Sequence, residues 1–257
     1  MNAGINLFSL RKLLGSEEGF LSTLRALANM GYSYLQISGA PWNAALFAKG
    51  SKEYGLPVYL THAPMDRILN DTDALMKEHE LFGCGNIGLG MMPVETVIDE
   101  SACKACIERL NGAAERMKRN GFTFFYHHHH FEFFRHNGET VFEYMLKNAP
   151  SINFTADSYW LQYGGVTPES YFKKLRGRTA CVHLKDYRIV CEQSDTGARL
   201  KPAFAPVGCG SLDFAAIVKA AKKAGAKYFF VEQDDACDYP DPLAQAEKSI
   251  RYIKENL

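Results

Sequence analysis

Imidazole and carboxylate side chains recur in this 257-residue sequence directly after short apolar runs. A charged or polar group that ends a buried strand costs free energy unless it is paired or binds a metal ion. If the apolar runs form the parallel strands of one barrel, their C-terminal ends open onto one face and the polar groups converge there. The sequence places such groups in five segments: His62; the run His127–His130 with Glu132; Asp157; His183 with Lys185 and Asp186; and Glu232 with Gln233 and Asp234.

Three of these groups form the strongest candidate for a metal site. Asp157, His183 and Glu232 combine one imidazole with two carboxylates, a set that suits a divalent ion such as Mn²⁺, Co²⁺, Mg²⁺ or Zn²⁺. A fourth ligand is expected from the fifth strand. Glu132 is the first choice because it makes the site rich in oxygen, and His127, which lies nearer the strand end, is the alternative. We therefore predict one divalent ion as the cofactor, against the alternative of a buried ion-pair network without metal.

Four consecutive histidines continue the fifth apolar run. Side chains alternate along a strand, so His127 and His129 would point to one side and His128 and His130 to the other. At most half of the run can face the barrel axis while the chain stays extended. His62, His127 and His129 are the histidines predicted to bind substrate hydroxyls or to donate a proton.

Two further residues are candidates for substrate contact. Lys185 lies two residues after His183, so it faces the same side of its strand and could bind a substrate hydroxyl or phosphate. A charge at a loop end is the alternative interpretation. Trp160 lies three residues after Asp157 and could form a wall of the pocket or, alternatively, part of the core.

The elements that must position these residues are short strands alternating with amphipathic helices. The apolar runs predict eight strands, and helical periodicity fills the intervals, with Gly31 as the expected end of the first long helix. Eight such units favour a closed barrel over an open sheet, and no GxGxxG follows the first strand. We therefore predict an α/β fold, a single-domain (β/α)₈ TIM barrel over residues 1–257. The predicted strands are residues 5–10, 32–38, 57–63, 86–91, 122–128, 153–157, 180–186 and 227–233.

The composition narrows the function classes. Twenty-nine basic and 29 acidic residues cancel, which argues against a nucleic-acid surface. No apolar run approaches the roughly 20 residues of a membrane helix, and the N-terminal segment lacks the pattern of a signal peptide. The seven cysteines are scattered, with one CxxC at Cys103 and Cys106, which indicates ordinary thiols in a reducing cytosol. We expect a cytoplasmic protein that binds neither nucleic acid nor membrane.

Two loops bear on the substrate. Residues 187–206 form a long excursion, which predicts a lid or a binding loop. No glycine-rich phosphate loop follows the seventh or eighth strand, although GCGS at 208–211 could offer backbone N–H groups ahead of a helix. These features favour an unphosphorylated sugar or glycoside.

The C-terminal half contains the motifs YHHHHFEF (126–133), ADSYW (156–160), GRTACVHLKD (177–186), APVGCGSLDF (205–214) and FFVEQDD (229–235). In their order and spacing these motifs resemble the sugar phosphate isomerase/epimerase superfamily, the xylose isomerase-like TIM barrels. The N-terminal half matches in its alternation of strands and helices and in THAP (61–64). The resemblance implies a metal site of Glu132, Asp157, His183 and Glu232. The sequence departs from the family at Cys209, where PVGCG replaces a stretch with an expected acidic residue.

The chemistry that such a site supports is proton transfer next to a sugar carbonyl. A metal ion would stabilise the enediolate, and Glu132 and Glu232 would form the acid–base pair. We therefore expect a metal-dependent isomerase or epimerase that acts on a small-molecule sugar or sugar derivative; homo-oligomerisation is left open. A metal-dependent keto-sugar or inositol-type dehydratase or lyase is the main alternative, because it would use the same groups. A non-catalytic sugar-binding barrel and an apurinic endonuclease are less favoured.

Overall fold

The computed structural model describes residues 1–195 and 197–257. Eight parallel strands form a closed barrel in which each strand pairs with the next along the chain and the last pairs with the first. The predicted (β/α)₈ TIM barrel is confirmed. The barrel strands are β1 (Gly4–Asn6), β2 (Tyr34–Ile37), β3 (Val58–His62), β4 (Asn86–Leu89), β5 (Thr123–His127), β6 (Asn153–Asp157), β7 (Cys181–Leu184) and β8 (Tyr228–Val231).

Helices flank the barrel on its outside. They are α1 (Glu17–Met30), α2 (Ala44–Tyr54), α3 (Met65–Asn70), α4 (Thr72–Leu81), α5 (Val94–Ile98), α6 (Glu100–Arg119), α7 (Val141–Asn148), α8 (Ser158–Tyr163), α9 (Pro168–Tyr171), α10 (Phe214–Ala224) and α11 (Pro242–Asn256). Gly31 ends α1 as predicted: its φ of 86° lies in the left-handed region, and its amide donates to the carbonyls of Leu27 and Ala28. Among the described helices, none is long and apolar enough to cross a membrane.

The first strand is shorter than predicted. The prediction placed residues 5–10 in a strand, but β1 ends at Asn6 and a 3₁₀ helix spans Leu7–Leu13. The Asn6 side chain accepts a hydrogen bond from the amide of Phe8 at 3.1 Å, which caps the new helix and ends the strand. A short apolar run does not reveal by its periodicity where a strand gives way to a buried helical turn.

The barrel interior consists of an apolar layer with a polar layer above it. Five residues pack together in the lower layer: Tyr34, Leu60, Phe125, Cys181 and Phe230. Because inward-facing positions recur at every second residue of a strand, the residue two positions later faces the axis again, nearer the C-terminal mouth. In the same strand order those residues are Gln36, His62, His127, His183 and Glu232. The alternation of side chains along the strands therefore places a layer of polar side chains directly above a layer of apolar side chains.

The predicted excursion at residues 187–206 is an extended hairpin. Asp186–Ser194 pairs antiparallel with Gly197–Ala205, and Thr196 lies outside the described residues. The carboxylate of Asp186 anchors its base by accepting hydrogen bonds from four amides of the following loop, those of Gly208, Gly210, Ser211 and Leu212. A role of this hairpin as a lid or binding loop stays a prediction.

Candidate metal centre

Four side chains converge at the C-terminal mouth of the barrel. The Nε2 atom of His127, the Oδ2 atom of Asp157, the Nδ1 atom of His183 and the Oε2 atom of Glu232 all come close together. His183 Nδ1 lies 2.8 Å from Glu232 Oε2, 3.1 Å from His127 Nε2 and 3.7 Å from Asp157 Oδ2. His127 Nε2 lies 3.3 Å from Asp157 Oδ2 and 4.0 Å from Glu232 Oε2. All four side chains are buried, and these four groups could hold one metal ion.

Asp157 and Glu232 each use one carboxylate oxygen for a hydrogen bond outside the cluster and direct the other oxygen into it. Asp157 Oδ1 accepts a hydrogen bond from the amide of Trp160 at 2.9 Å and caps α8. Glu232 Oε1 accepts a hydrogen bond from the Asn6 side-chain amide at 2.6 Å. Glu232 Oε2 is buried and has no directed hydrogen bond, although it lies within ion-pair distance of His183 and of Lys185. The protein thus fixes the orientation of each carboxylate and directs its second oxygen toward the cluster, where that oxygen also faces the Lys185 ammonium.

These donors fit a divalent ion. Metal–nitrogen and metal–oxygen bonds of about 2.1 Å place neighbouring ligands about 3.0–3.4 Å apart in octahedral or tetrahedral geometry. Five of the pair distances within the cluster are 2.8 to 4.0 Å and span that range, and all four ligand atoms lie within 4.8 Å of one another. Two imidazoles with two carboxylates suit Zn²⁺, Mn²⁺, Co²⁺ or Fe²⁺ better than they suit Ca²⁺.

A network behind the cluster sets the tautomer of His183. Its Nε2 donates to the Gln36 side-chain oxygen at 2.7 Å, which leaves Nδ1 free to ligate. The Gln36 amide nitrogen donates to His62 Nε2 at 2.8 Å, and His62 Nδ1 lies 3.3 Å from the Ser38 hydroxyl. The backbone amide of Asp157 donates to His128 Nε2 at 3.0 Å. Such partners orient metal ligands in proteins and raise their affinity for the ion.

Lys185 places a positive charge at the edge of the cluster. Its ammonium lies 3.0 Å from Glu232 Oε2, 3.3 Å from Asp157 Oδ2 and 3.1 Å from Asp234 Oδ1. It also lies 5.0 Å from the centre of the Trp160 ring, within cation–π distance. Asp234 thus gives the ammonium a partner outside the four-residue cluster.

The electrostatics of the site favour a bound cation. Burial lowers the pKa of His183, but the carboxylates of Glu232 and Asp157 outweigh burial and raise this pKa to about 9. Burial raises the pKa of Asp157, yet Lys185 and His183 outweigh it and hold this pKa at about 2. Burial lowers the pKa of His127 well below its ordinary value. The ionised carboxylates and the neutral His127 ring are in the protonation states that a metal ion requires, whereas His183 must lose its proton before Nδ1 can ligate the ion.

Glu132 does not join this group, in contrast to the prediction. Its buried carboxylate accepts hydrogen bonds from the Tyr126 hydroxyl and, at 2.7 Å, from the amide of His129. The strand ends at His127, and the chain then bends into a 3₁₀ helix at Phe131–Phe133. This turn carries Glu132 back along the outside of β5, so the strand alternation no longer applies. His127, the alternative ligand, takes the expected place in the cluster.

The other histidines of the run have separate environments. His128 is buried, and its ring packs 4.8 Å from that of Phe142. His129 packs against Trp160, and its Nδ1 atom is buried without a hydrogen bond. His130 is exposed and stacks on Trp160. Trp160 therefore packs against two histidines and the Lys185 ammonium rather than in the apolar core.

The cluster forms part of the floor of a cavity of about 860 Å³. Its polar lining includes five of the predicted site residues: His62, His127, His129, Lys185 and Glu232. Asp157 and His183 lie fully buried below this floor. Cys209 is exposed and is not among the residues that line the cavity.

Three residues that contact the site were not among the site residues predicted from the sequence. Asn6 orients Glu232, Gln36 orients His183, and Asp234 pairs with Lys185. Gln36 could have been found, because it is a polar residue at an inward position of an otherwise apolar predicted strand. Asn6 could not, because the strand was predicted to continue beyond it.

Comparisons with known proteins identify the family and support the fold. Residues 24–256 match the family model for xylose isomerase-like TIM barrels, and no protein of curated function matches the sequence. The chain is similar to a sugar phosphate isomerase/epimerase from Parabacteroides distasonis, with 21% identity, a TM-score of 0.82, and coverage of 99% of this chain and 94% of the other.

Two more distant structures share the fold. One is a xylose isomerase-like TIM barrel protein from Mycobacterium smegmatis in complex with magnesium, at 15% identity and a TM-score of 0.71, with coverage of 99% and 95%. The other is a D-allulose 3-epimerase from Methylomonas sp., at 16% identity and a TM-score of 0.69, with coverage of 100% and 98%.

Proposed function

Because the chain belongs to the xylose isomerase-like TIM barrel family and four ligating groups converge in its cavity, we propose that it is a metal-dependent sugar isomerase or epimerase. The convergence of His127, Asp157, His183 and Glu232 is the observation that carries the proposal. The magnesium complex of the Mycobacterium smegmatis protein and the sugar named for the Methylomonas epimerase support it.

The four clustered side chains would hold the ion, with Asn6 and Gln36 fixing the orientation of two of them. When bound, the ion supplies stabilisation for negative charge that develops on a substrate carbonyl oxygen. The positive charge of Lys185, next to the same carboxylates, adds to that stabilisation at the cavity floor.

Proton transfer needs a base on one face of the substrate carbon and an acid on the other. Glu232 is the carboxylate that faces the cavity, and we assign it the removal of the proton. Glu132 is not assigned the return of the proton, since it is not among the residues that line the cavity and its carboxylate is held by Tyr126 and by the His129 amide. We assign the second role to His129, which lines the cavity and whose Nδ1 has no hydrogen bond. Burial lowers the pKa of His129 to about 3, so the proton that it returns is the N–H proton of a neutral ring. Both ring nitrogens of His62, by contrast, have partners within the protein.

Exchange of solvent deuterium into keto sugars tests this function. The metal-loaded protein should exchange the hydrogen on the carbon next to the carbonyl, and Glu232→Gln should abolish this exchange. Glu95→Gln, at an exposed position of α5, is the matched control. Full turnover by Glu232→Gln would refute the proposal, and loss of water from the substrate would identify the dehydratase instead.

A further inference from the structure

Arg11 lies in the wall of the cavity, and within the described residues it has no carboxylate partner. Of the described residues that line the cavity, Arg11 and Lys185 carry a permanent positive charge. Lys185 contacts both carboxylates of that lining, those of Glu232 and Asp234, and also Asp157. Arg11 contacts two backbone carbonyls and an aromatic ring instead. A ligand in the cavity can therefore supply the anionic partner of Arg11.

The hydrogen bonds of Arg11 use one end of its guanidinium and leave one edge open. The Nη1 atom donates to the carbonyl of Phe8 at 3.0 Å and to that of Asp234 at 2.8 Å, which uses both of its N–H groups. The Nε–H and the Nη2 N–H groups have no acceptor in the described part of the chain. Together they form an edge with two parallel N–H groups, the geometry that binds a carboxylate through both of its oxygens.

The Arg11 side chain is held in one place before any ligand binds. Its guanidinium lies 4.3 Å from the centre of the Phe8 ring, which also lines the cavity. The base of the side chain packs against the turn at Gly39, where an added Cβ would lie 3.0 Å from Arg11 Cβ and 3.1 Å from the Phe8 ring. Because the side chain is already ordered, little of its conformational freedom is lost when it binds an anion.

Asp234 connects Arg11 to the metal centre. Its backbone carbonyl accepts the Arg11 hydrogen bond, and its carboxylate lies 3.1 Å from the Lys185 ammonium. The same ammonium lies 3.0 Å from Glu232 Oε2. Arg11 therefore stands on the Asp234 side of the cavity, beyond Lys185 as seen from the metal centre. A sugar whose carbonyl end lies at the metal centre can extend its far end toward Arg11.

The donors at this place favour a carboxylate over a phosphate. Two parallel N–H groups match the two oxygens of a carboxylate. A phosphate ester has three terminal oxygens and a charge of about −1.5 to −2, and the other permanent cation of the cavity, Lys185, already contacts three carboxylates. The amides of the 208–211 loop, which the sequence suggested as phosphate donors, already donate to the Asp186 carboxylate.

We propose that Arg11 determines the substrate specificity of this cavity by binding a carboxylate of the substrate, which is then a keto sugar acid. The carbonyl end of the sugar lies at the metal centre, and the carboxylate at its far end binds the Nε–Nη2 edge of Arg11. The reaction of this substrate rests on the proposed function, whereas the carboxylate site rests on the contacts of Arg11 alone.

A matched set of ligands tests this inference. The D-ketohexoses of every ring configuration are compared with the same sugars oxidised to a carboxylate at the terminal carbon, and with their phosphate esters at that carbon. Calorimetry measures the dissociation constants of the metal-loaded protein, and deuterium exchange gives kcat/KM. The best carboxylate ligand should bind about 10- to 100-fold more tightly than the neutral sugar of the same configuration, the gain expected from hydrogen bonds to a charged group. It should also bind more tightly than the corresponding phosphate.

Variants of Arg11 locate this preference. Arg11→Gln should bring the ratio of the neutral to the carboxylate dissociation constant close to one. Arg11→Lys keeps the charge without the two parallel N–H groups and should lose most of the ratio, because a point charge does not replace a bidentate contact. Lys12→Gln removes the neighbouring positive charge, which pairs with Asp238 at the surface and does not line the cavity. This control should keep the ratio of the wild type.

The outcomes separate the carboxylate site from the proposed function. Exchange without a preference for the carboxylate, or tightest binding of a phosphate ester, overturns the inference and leaves the proposed function standing. A preference that depends on Arg11, without exchange in any ligand, supports the carboxylate site and overturns the function. Equal losses for neutral and carboxylate ligands in Arg11→Gln would mean that Arg11 only supports the loop, and a ratio lost equally in Lys12→Gln would mean that diffuse charge causes it. Either result overturns the inference.

Discussion

Replacing Glu132 with glutamine should stabilise the protein increasingly as the pH rises. Burial raises the pKa of Glu132 from 4.5 to about 7, with the hydrogen bonds from Tyr126 and His129 opposing this rise in part. Below pH 4.5 the carboxyl is protonated in both folded and unfolded chains. Between pH 4.5 and 7 it ionises first in the unfolded chain, so the wild type loses stability across this window. Glutamine resembles the protonated carboxyl and avoids this loss.

The size of this stability difference follows from the shift in the pKa of Glu132. At about 1.4 kcal/mol per pKa unit, the full penalty is about 3 kcal/mol. The stability of Glu132→Gln minus that of the wild type should therefore rise by about 2–3 kcal/mol between pH 5 and pH 8. Chemical denaturation of both proteins at several pH values measures this difference, with Glu95→Gln as the control for a surface charge change. A difference that stays flat or falls with pH would refute the placement of Glu132 as a buried, non-ligating carboxyl.

Two other predictions concern the residues that support the site. Gln36→Leu removes the acceptor of the His183 Nε2–H and should weaken metal binding about 10- to 100-fold; competition with a fluorescent chelator measures it, and unchanged affinity would contradict the role of Gln36. Gly210→Ala should destabilise the fold by about 1–3 kcal/mol, because a Cβ there would lie 2.3 Å from the Asp186 carboxylate. Gly112→Ala, where a Cβ meets open space, is the control in thermal unfolding, and equal effects of both would disprove the steric argument.

Strand order and the strand-end positions of the site follow from the sequence because buried strands are apolar and inward positions repeat every second residue. Asp157, His183 and Glu232 each stand where such a run ends, and the structure brings them together. Gln36 obeys the same rule, two residues after Tyr34. The strands and their inward-facing residues can therefore be predicted from the local pattern of apolar and polar residues alone.

The end of β5 could not be predicted from the sequence, because no residue type there indicates the turn that follows the strand. In HHHHFEF the residue types do not reveal that the strand stops at His127. Whether Glu132 reaches the metal centre depends on the path of the chain after that point. This path is held by hydrogen bonds from the Tyr126 hydroxyl and the His129 amide to the Glu132 carboxylate, within six residues of chain, and residue types alone do not reveal that these bonds form. Asn6 is a second case, since its side chain both caps a 3₁₀ helix and orients Glu232.

Metal stoichiometry in two variants tests the central claim most directly. The wild type and Glu132→Gln, dialysed against Mn²⁺ and measured by elemental analysis, should each retain about one ion per chain, as expected for a single four-ligand site. His127→Ala should lose most of the bound ion while its circular dichroism shows a folded barrel. Loss of the ion in Glu132→Gln with retention in His127→Ala, or no bound ion in the wild type, would contradict the account.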